Sequence, residues 1–201
     1  LGKLLGEIGL DKRFLRGDGA YLYDDEGQQY LDCIAAYGAL PFGYNPPEIW
    51  QALHDLESNR EPSFIQPSFL EAAGDLAARL VELAPLGLKQ VTYANSGAEA
   101  VEAAFKLCRA KTGKMVILST SNSFHGKTLG ALSATGNVSY QAAFGAPVAG
   151  FRQIPFGDIG ALEVYLNEYA HETAAFIVEP IQGEGGIVEP PPGYLKQVQE
   201  L

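Results

Sequence analysis

Strand-like and helix-like patterns of hydrophobic residues alternate along most of the chain, and glycine or proline stands at most of the joints. Short apolar runs predict strands at residues 91–94, 115–119, 151–154 and 174–179. Apolar residues that recur every three or four positions predict helices over residues 97–110 and 159–169. This alternation of strands and helices is typical of an α/β protein with a mostly parallel sheet.

The N-terminal part follows a different pattern. Tyr21 and Tyr23 precede an Asp-Asp-Glu-Gly turn and Tyr30 follows it, which predicts a β-hairpin. Helices are predicted at residues 47–56 and 69–83.

Both ends of the sequence indicate a piece of a longer protein. The chain begins at Leu1 without a methionine, and its final segment GYLKQVQEL has Tyr194, Leu195, Val198 and Leu201 at helical spacing. No capping glycine follows them. We expect the chain to stop inside a helix and further strands of the sheet to come after it.

Composition and charge narrow the classes of function. The 201 residues are 47% hydrophobic, which suits one large domain or a domain plus fragments. The formal net charge of −10 without a basic run argues against nucleic acid as a partner. Cys33 and Cys108 form no CxxC pair, and His54, His125 and His171 lack the spacing of metal ligands, so neither disulfides nor a metal site are expected. The two unpaired cysteines favour the reducing cytoplasm. Without a run of about 18 apolar residues, no membrane-spanning segment is expected.

The segment NSGAEAVEAAFKLCR joins the strand predicted at residues 91–94 to the helix predicted at residues 97–110. Asn95 or Ser96 can cap the helix, and the backbone N–H groups of Gly97 and Ala98 then remain open to a ligand. Such a helix end attracts anions, phosphate above all, although a capped turn without a ligand fits the same residues. The apolar face of the helix is expected to pack on the sheet, opposite a polar face that carries Glu99, Glu102, Lys106 and Arg109.

Two further segments follow strands, where ligands collect in open α/β sheets. In SNSFHGKTLGALSAT, Phe124 and His125 suit stacking on a flat heterocycle, but a loop aromatic buried for packing is equally consistent. In FIVEPIQGEGGIVEPPPGY, Glu179 ends an apolar strand and Glu184 lies in a glycine-rich loop. These acids can orient a ligand or can simply be solvated.

Together these segments resemble the class III aminotransferases, pyridoxal phosphate enzymes of fold type I that act on ω-amino groups. NSGAEAVEAAFKLCR, FHGKTLGALSAT, PFGDI and EPIQGEGGIVEPPPGYL stand in the order of the family, and the similarity runs from about Gly19 to the end. It is greatest to putrescine aminotransferases, followed by ornithine and acetylornithine aminotransferases. The resemblance implies a homodimer, with residues 1–45 from a small domain and residues 46–201 forming the first half of the large cofactor-binding domain.

The resemblance also assigns roles at the cofactor pyridoxal 5′-phosphate. It implies that Ser96, Gly97 and Ala98 hold the phosphate and that Phe124 stacks on the pyridine ring, with His125 beside it. Many relatives carry threonine where this chain has Ala98, which removes one hydroxyl contact worth about 1–3 kcal/mol.

The two acids receive roles from the same resemblance. It implies that Glu179 shapes the cofactor site and that Glu184 is the glutamate that pairs with an arginine and moves aside for an α-carboxylate substrate. An ω-amine donor and a 2-oxo acid acceptor are therefore expected. Tyr44 stands where relatives commonly have histidine, in a segment that lies near the substrate entrance of the family.

The cofactor-binding lysine and the aspartate facing the ring nitrogen lie, in the family, beyond the last residue of this chain. Lys106 and Lys127 match no such position, so the chain alone is predicted to be inactive. A non-catalytic module that binds a phosphorylated ligand or a partner protein is the alternative. A pyridoxal phosphate decarboxylase or isomerase is a third, and QGEGG disfavours the glutamate-semialdehyde isomerase type.

Overall fold

The computed structural model describes residues 2–63, 65, 68–85 and 87–201. The chain divides into two compact units, Leu1–Glu82 and Leu83–Leu201. The predicted boundary between residues 45 and 46 comes from the family's division into domains and stays a prediction.

The first unit contains a small antiparallel sheet. Helix α1 (Gly2–Glu7) precedes strands β1 (Phe14–Asp18), β2 (Tyr21–Asp24) and β3 (Gln29–Leu31), which lie in the order β1-β2-β3. The predicted hairpin is confirmed as β2 and β3, with Tyr21 opposite Leu31. Strand β1 was not predicted because its residues are mostly exposed and carry no apolar alternation.

Helices α2 (Pro47–Ser58) and α3 (Glu71–Leu83) confirm the next two predictions to within two residues. Proline stands at the first position of α2, where the missing N–H would have had no helical partner.

The second unit is an α/β layer structure. In chain order it contains α4 (Gly97–Thr112), β4 (Val116–Thr120), α5 (Leu129–Ala134), α6 (Val138–Gln141), β5 (Phe151–Ile154), α7 (Ile159–Tyr169), β6 (Thr173–Phe176) and α8 (Tyr194–Glu200). Its sheet has the order β5-β4-β6, and β4 is parallel to both neighbours. The predicted parallel α/β arrangement is therefore confirmed.

The core lies on both faces of the central strand. All five residues of β4 are buried. On one face Ile117 packs with Phe105 of α4. On the other face Leu118 packs with Ile154 of β5 and Leu162 of α7. Burial on both faces explains why β4 is a continuous apolar run.

Two strand predictions need correction. Residues 91–94 lie outside both sheets, so the sheet of this unit has three strands rather than four. An apolar run favours an extended backbone, but a strand also needs a neighbouring ladder, which the pattern cannot specify. The strand predicted at 174–179 ends at Phe176, so Glu179 follows β6 in a loop instead of ending the strand.

No helix among the described residues is long and apolar enough to cross a membrane.

Candidate functional site

The carboxyl ends of two neighbouring strands lead into the predicted site residues. Strands β4 and β6 are parallel and hydrogen-bonded to each other, so the segments that follow them leave from the same edge of the sheet. We call residues 121–128 the aromatic loop and residues 177–188 the glycine-rich loop. These two loops and the start of α4 form the candidate site.

Glu179 connects the two loops. Its Oε2 accepts a hydrogen bond from the backbone N–H of Phe124 at 3.0 Å, and its Oε1 accepts one from the backbone N–H of Gly183 at 3.2 Å. The side chain is half-buried, and hydrogen bonds to a charged acceptor are stronger than those between neutral groups. Glu179 thereby fixes the backbone from which the Phe124 ring projects.

A second set of contacts holds the glycine-rich loop. Gln182 donates a hydrogen bond from Nε2 to the Ser121 carbonyl at 2.8 Å, and it exchanges backbone hydrogen bonds with Val188 at 3.0 and 2.9 Å. A Cβ atom at Gly185 would lie 2.7 Å from the Asn122 carbonyl oxygen. Only glycine allows this close approach of the two loops.

Phe124, Tyr140 and Glu184 line one cleft of about 650 Å³. The rings of Phe124 and Tyr140 meet edge to face with centroids 6.4 Å apart. The Tyr140 hydroxyl donates a hydrogen bond to Glu184 Oε2 at 3.3 Å. Lys127 also lines this cleft, so one acid and one base face a space whose other walls are largely apolar.

The start of α4 is capped from its own sequence. Ser96 Oγ accepts a hydrogen bond from the Glu99 N–H at 3.2 Å, and Glu99 Oε2 accepts one from the Asn95 N–H at 2.7 Å. This reciprocal arrangement is close to a capping box. Within the described part of the chain, the N–H groups of Gly97 and Ala98 have no hydrogen-bond partner. A Cβ atom at Gly97 would meet nothing within 4 Å, so the space beside these donors is open.

The aromatic loop lies directly against this helix end. A Cβ atom at Gly126 would lie 2.8 Å from the Cβ of Ala98, and Gly126 has a φ of +134°, which favours glycine. The contact brings Phe124 and His125, two predicted residues of one motif, next to the predicted Ser96–Ala98 segment of another. Glu179 is joined to the same loop, and Glu184 is joined to the cleft beside it.

His125 is mostly buried in this loop. Its backbone N–H donates a hydrogen bond to Thr135 Oγ1 at 3.0 Å. Its Nε2 is buried and has no hydrogen-bond partner among the residues that the structure describes. Burial lowers the pKa of His125 from its usual 6.5 to about 4, so the ring is neutral near pH 7.

This lowered pKa predicts a pH-dependent stability. The unfolded chain takes up a proton at His125 near pH 6.5 and the folded chain only near pH 4. His125 therefore does not change the free energy of unfolding with pH above pH 6.5. As the pH falls from 6.5 towards 4, the free energy of unfolding decreases by up to about 3 kcal/mol. We expect His125→Gln to remove this part of the pH dependence, measured as the free energy of unfolding of the cofactor-free full-length protein. Exposed His171→Gln is the control, and an equal change in both variants would contradict the prediction.

The polar face predicted for α4 makes a contact that was not predicted. Glu102 does not simply face solvent: its Oε1 accepts a hydrogen bond from Thr128 Oγ1 at 2.7 Å and further ones from the start of α5. Helical spacing carries no signal for this contact, because its partners lie 26 to 29 residues later in the chain. Tyr140 was missed for the same reason.

Tyr44 has structural contacts of its own within the first unit. Its hydroxyl donates a hydrogen bond to Asp32 Oδ2 at 2.7 Å, which contributes most to lowering the pKa of Asp32. Its ring covers Gly17, where a Cβ atom would lie 2.6 Å from the ring carbon Cγ. These contacts account for a tyrosine here by packing and hydrogen bonding, and an effect on substrate choice stays a prediction.

Comparison with known proteins identifies the family. The family model described as aminotransferase class-III matches residues 11–201. The chain belongs to the class-III aminotransferases. This confirms the predicted family, the fold type I architecture and, since members are pyridoxal 5′-phosphate enzymes, the cofactor of the family.

Three relatives illustrate the similarity. Aminotransferase PigE from Serratia sp. (strain ATCC 39006) is 45% identical over 192 residues, which cover 95% of this chain and 22% of PigE. The ornithine aminotransferase of Toxoplasma gondii is 32% identical, with a TM-score of 0.83 over 94% of this chain and 46% of its own. The omega transaminase of Pseudomonas jessenii in complex with PMP is 26% identical, with a TM-score of 0.87 over 100% of this chain and 50% of its own. The chain thus spans about half of each solved relative.

Proposed function

We propose that this chain is the N-terminal half of an aminotransferase that moves an amino group from an ω-amine to a 2-oxo acid. The observation that carries the proposal is the contact between Gly126 and Ala98, because it unites an open helix end with the aromatic loop. An anion site beside an aromatic ring is what a phosphorylated, planar cofactor needs.

The chain's own residues fit pyridoxal 5′-phosphate. The N–H groups of Gly97 and Ala98 would bind the phosphate together with Ser96, and the open space at Gly97 admits it. Phe124 would cover the ring, and beside it would lie the neutral His125, whose Nε2 has no hydrogen-bond partner among the described residues. Ala98 offers no hydroxyl group, so backbone donors bear most of the phosphate binding. When bound, the cofactor supplies a ring that stabilises negative charge on the reacting carbon.

Glu179 and Glu184 would have different roles: the first would orient the Phe124 ring, and the second would select the substrate. Glu179 would hold Phe124 at a fixed height over the ring through the hydrogen bond to its N–H. Glu184, in the cleft with Tyr140, would exclude or admit a carboxylate at the entrance of the site. Two of the solved relatives are an ornithine aminotransferase and an omega transaminase, which supports an ω-amine of the putrescine or ornithine type as donor.

The remaining parts of the enzyme belong to the proposal as well. Residues 1–45 would come from the small domain and residues 46–201 from the first half of the large domain. The lysine that binds the cofactor would follow residue 201, and the full-length enzyme would be a cytoplasmic homodimer. The 201-residue chain alone would then have no transaminase turnover.

Borohydride reduction of the full-length protein followed by peptide mass spectrometry tests this. Reduction fixes the cofactor on the lysine that binds it, and we expect one labelled lysine outside the present sequence. A label on Lys127 or Lys106 would contradict the division of the site between the two halves. Absence of any label in a protein that still binds phosphorylated ligands would favour the non-catalytic module.

A further inference from the structure

Helix α5 is capped by a side chain from another helix. Glu102 of α4 accepts three hydrogen bonds at Oε1: from Thr128 Oγ1 at 2.7 Å, from the Gly130 N–H at 2.9 Å and from the Ala131 N–H at 3.1 Å. Thr128 occupies the capping position of α5 but makes no cap bond of its own. The carboxylate of Glu102 therefore satisfies the donors that a local cap would otherwise take.

The carboxylate of Glu102 lies directly over Gly130, so a side chain at position 130 would have to displace the carboxylate. A Cβ atom at Gly130 would overlap the carboxylate oxygens of Glu102. The helix α5 is short, and its open N–H groups favour a negative charge at this end. Glu102 itself is half-buried and forms no ion pair within the described part of the chain.

Glu102 lies one helical turn after Ala98 on the same face of α4. The aromatic loop thus touches α4 at two successive levels: Gly126 rests on Ala98, and Thr128 with the start of α5 is bound by Glu102. Phe124 and His125 come directly before the part of the chain that these contacts hold.

We propose that Glu102 is a positioning residue that clamps the aromatic loop onto the phosphate end of α4 by capping α5 from α4. The inference rests on the proposed function for its link to the cofactor. Loss of the clamp would let the loop move away from the helix end, so that the ring contact and the phosphate contact no longer lie in one fixed geometry.

The first measurement is amide hydrogen exchange in the cofactor-free full-length protein. We expect Glu102→Ala to raise the exchange rate of peptides covering residues 124–131 about tenfold or more, because the free energy of local unfolding there decreases. Glu102→Gln keeps an accepting oxygen and should stay within about threefold of wild type. The control is Asp158→Ala, which removes the cap of α7, a hydrogen bond of 2.8 Å from the Ala161 N–H, and should affect α7 instead.

The second measurement is cofactor binding by the same variants. We expect Glu102→Ala to weaken binding of pyridoxal 5′-phosphate about tenfold and to change the circular dichroism of the bound cofactor at saturation. Asp158→Ala should change neither quantity, and Glu102→Gln should restore both. If Glu102→Ala does not fold, Thr128→Val removes one of the three hydrogen bonds and should shift exchange and binding in the same direction by a smaller factor.

The outcomes separate the two levels of inference. Unchanged exchange over residues 124–131 in Glu102→Ala would overturn the clamp. Faster exchange with unchanged cofactor binding and dichroism would overturn the positioning role. A wild-type protein that binds no pyridoxal 5′-phosphate would overturn the proposed function, and the positioning role with it, before any variant is compared.

Discussion

Replacing Gly97 with valine in the full-length protein should raise the dissociation constant for pyridoxal 5′-phosphate at least about tenfold, or about 1.4 kcal/mol. A branched side chain would occupy the open space beside the N–H groups of Gly97 and Ala98, where the phosphate must approach the backbone. Because a Cβ atom at Gly97 meets nothing within 4 Å, the substitution should leave the fold intact. Equilibrium binding followed by cofactor fluorescence measures the change.

Gly160→Val is the matched control for this experiment. Gly160 also lies in the first turn of a helix, α7, in the same α/β unit. A Cβ atom there would make only a contact of 3.4 Å, with Asp158 Oδ1. Both variants should show the same small effect of valine on helix stability, and only Gly97→Val should lose cofactor affinity. Unchanged retention of cofactor in a folded Gly97→Val protein would contradict the proposal that the start of α4 binds the phosphate.

Removing the Glu179 carboxylate should have the other large effect. Glu179→Ala leaves the N–H groups of Phe124 and Gly183 without their acceptor and removes one of the links between the two loops. We expect a loss of about 2–4 kcal/mol in the free energy of unfolding. A fall of about 100-fold in kcat/KM is also expected, because a small displacement of Phe124 misaligns the bound cofactor. Denaturant titration and steady-state kinetics measure the two quantities.

Two comparison variants test whether the effect belongs to these hydrogen bonds. Glu179→Gln retains one accepting oxygen and should lie between wild type and Glu179→Ala in both measurements. Glu189→Ala removes an exposed acid from the segment that follows the glycine-rich loop and should change neither quantity by much. Equal kinetics for wild type and Glu179→Ala would rule out a role of Glu179 in orienting Phe124.

The start and the end of α4 show why some elements are predictable. Ser96 caps the helix and Gly113 ends it in the left-handed conformation, with a φ of +70°. Both signals act within a few residues of where they stand, as does the spacing of apolar residues along the helix. The helix was predicted over residues 97–110 and runs to Thr112.

The mistaken strand at residues 91–94 shows the opposite case. Its apolar residues are compatible with an extended backbone, yet the segment lies outside both sheets. Whether a neighbouring strand is available depends on parts of the chain far away in sequence, so local composition cannot decide it.

The sequence by itself determined the periodicities, the caps and most of the strands and helices of the second unit, and therefore the parallel α/β layer and the edge at which the two loops emerge. Only the tertiary structure decided which residues meet at that edge. Glu179 reaches the Phe124 N–H across 55 residues of chain, and Glu102 reaches α5 across nearly 30. The burial that lowers the pKa of His125 likewise comes from the tertiary packing around its loop. Such contacts depend on distances in space, which no pattern along the chain encodes.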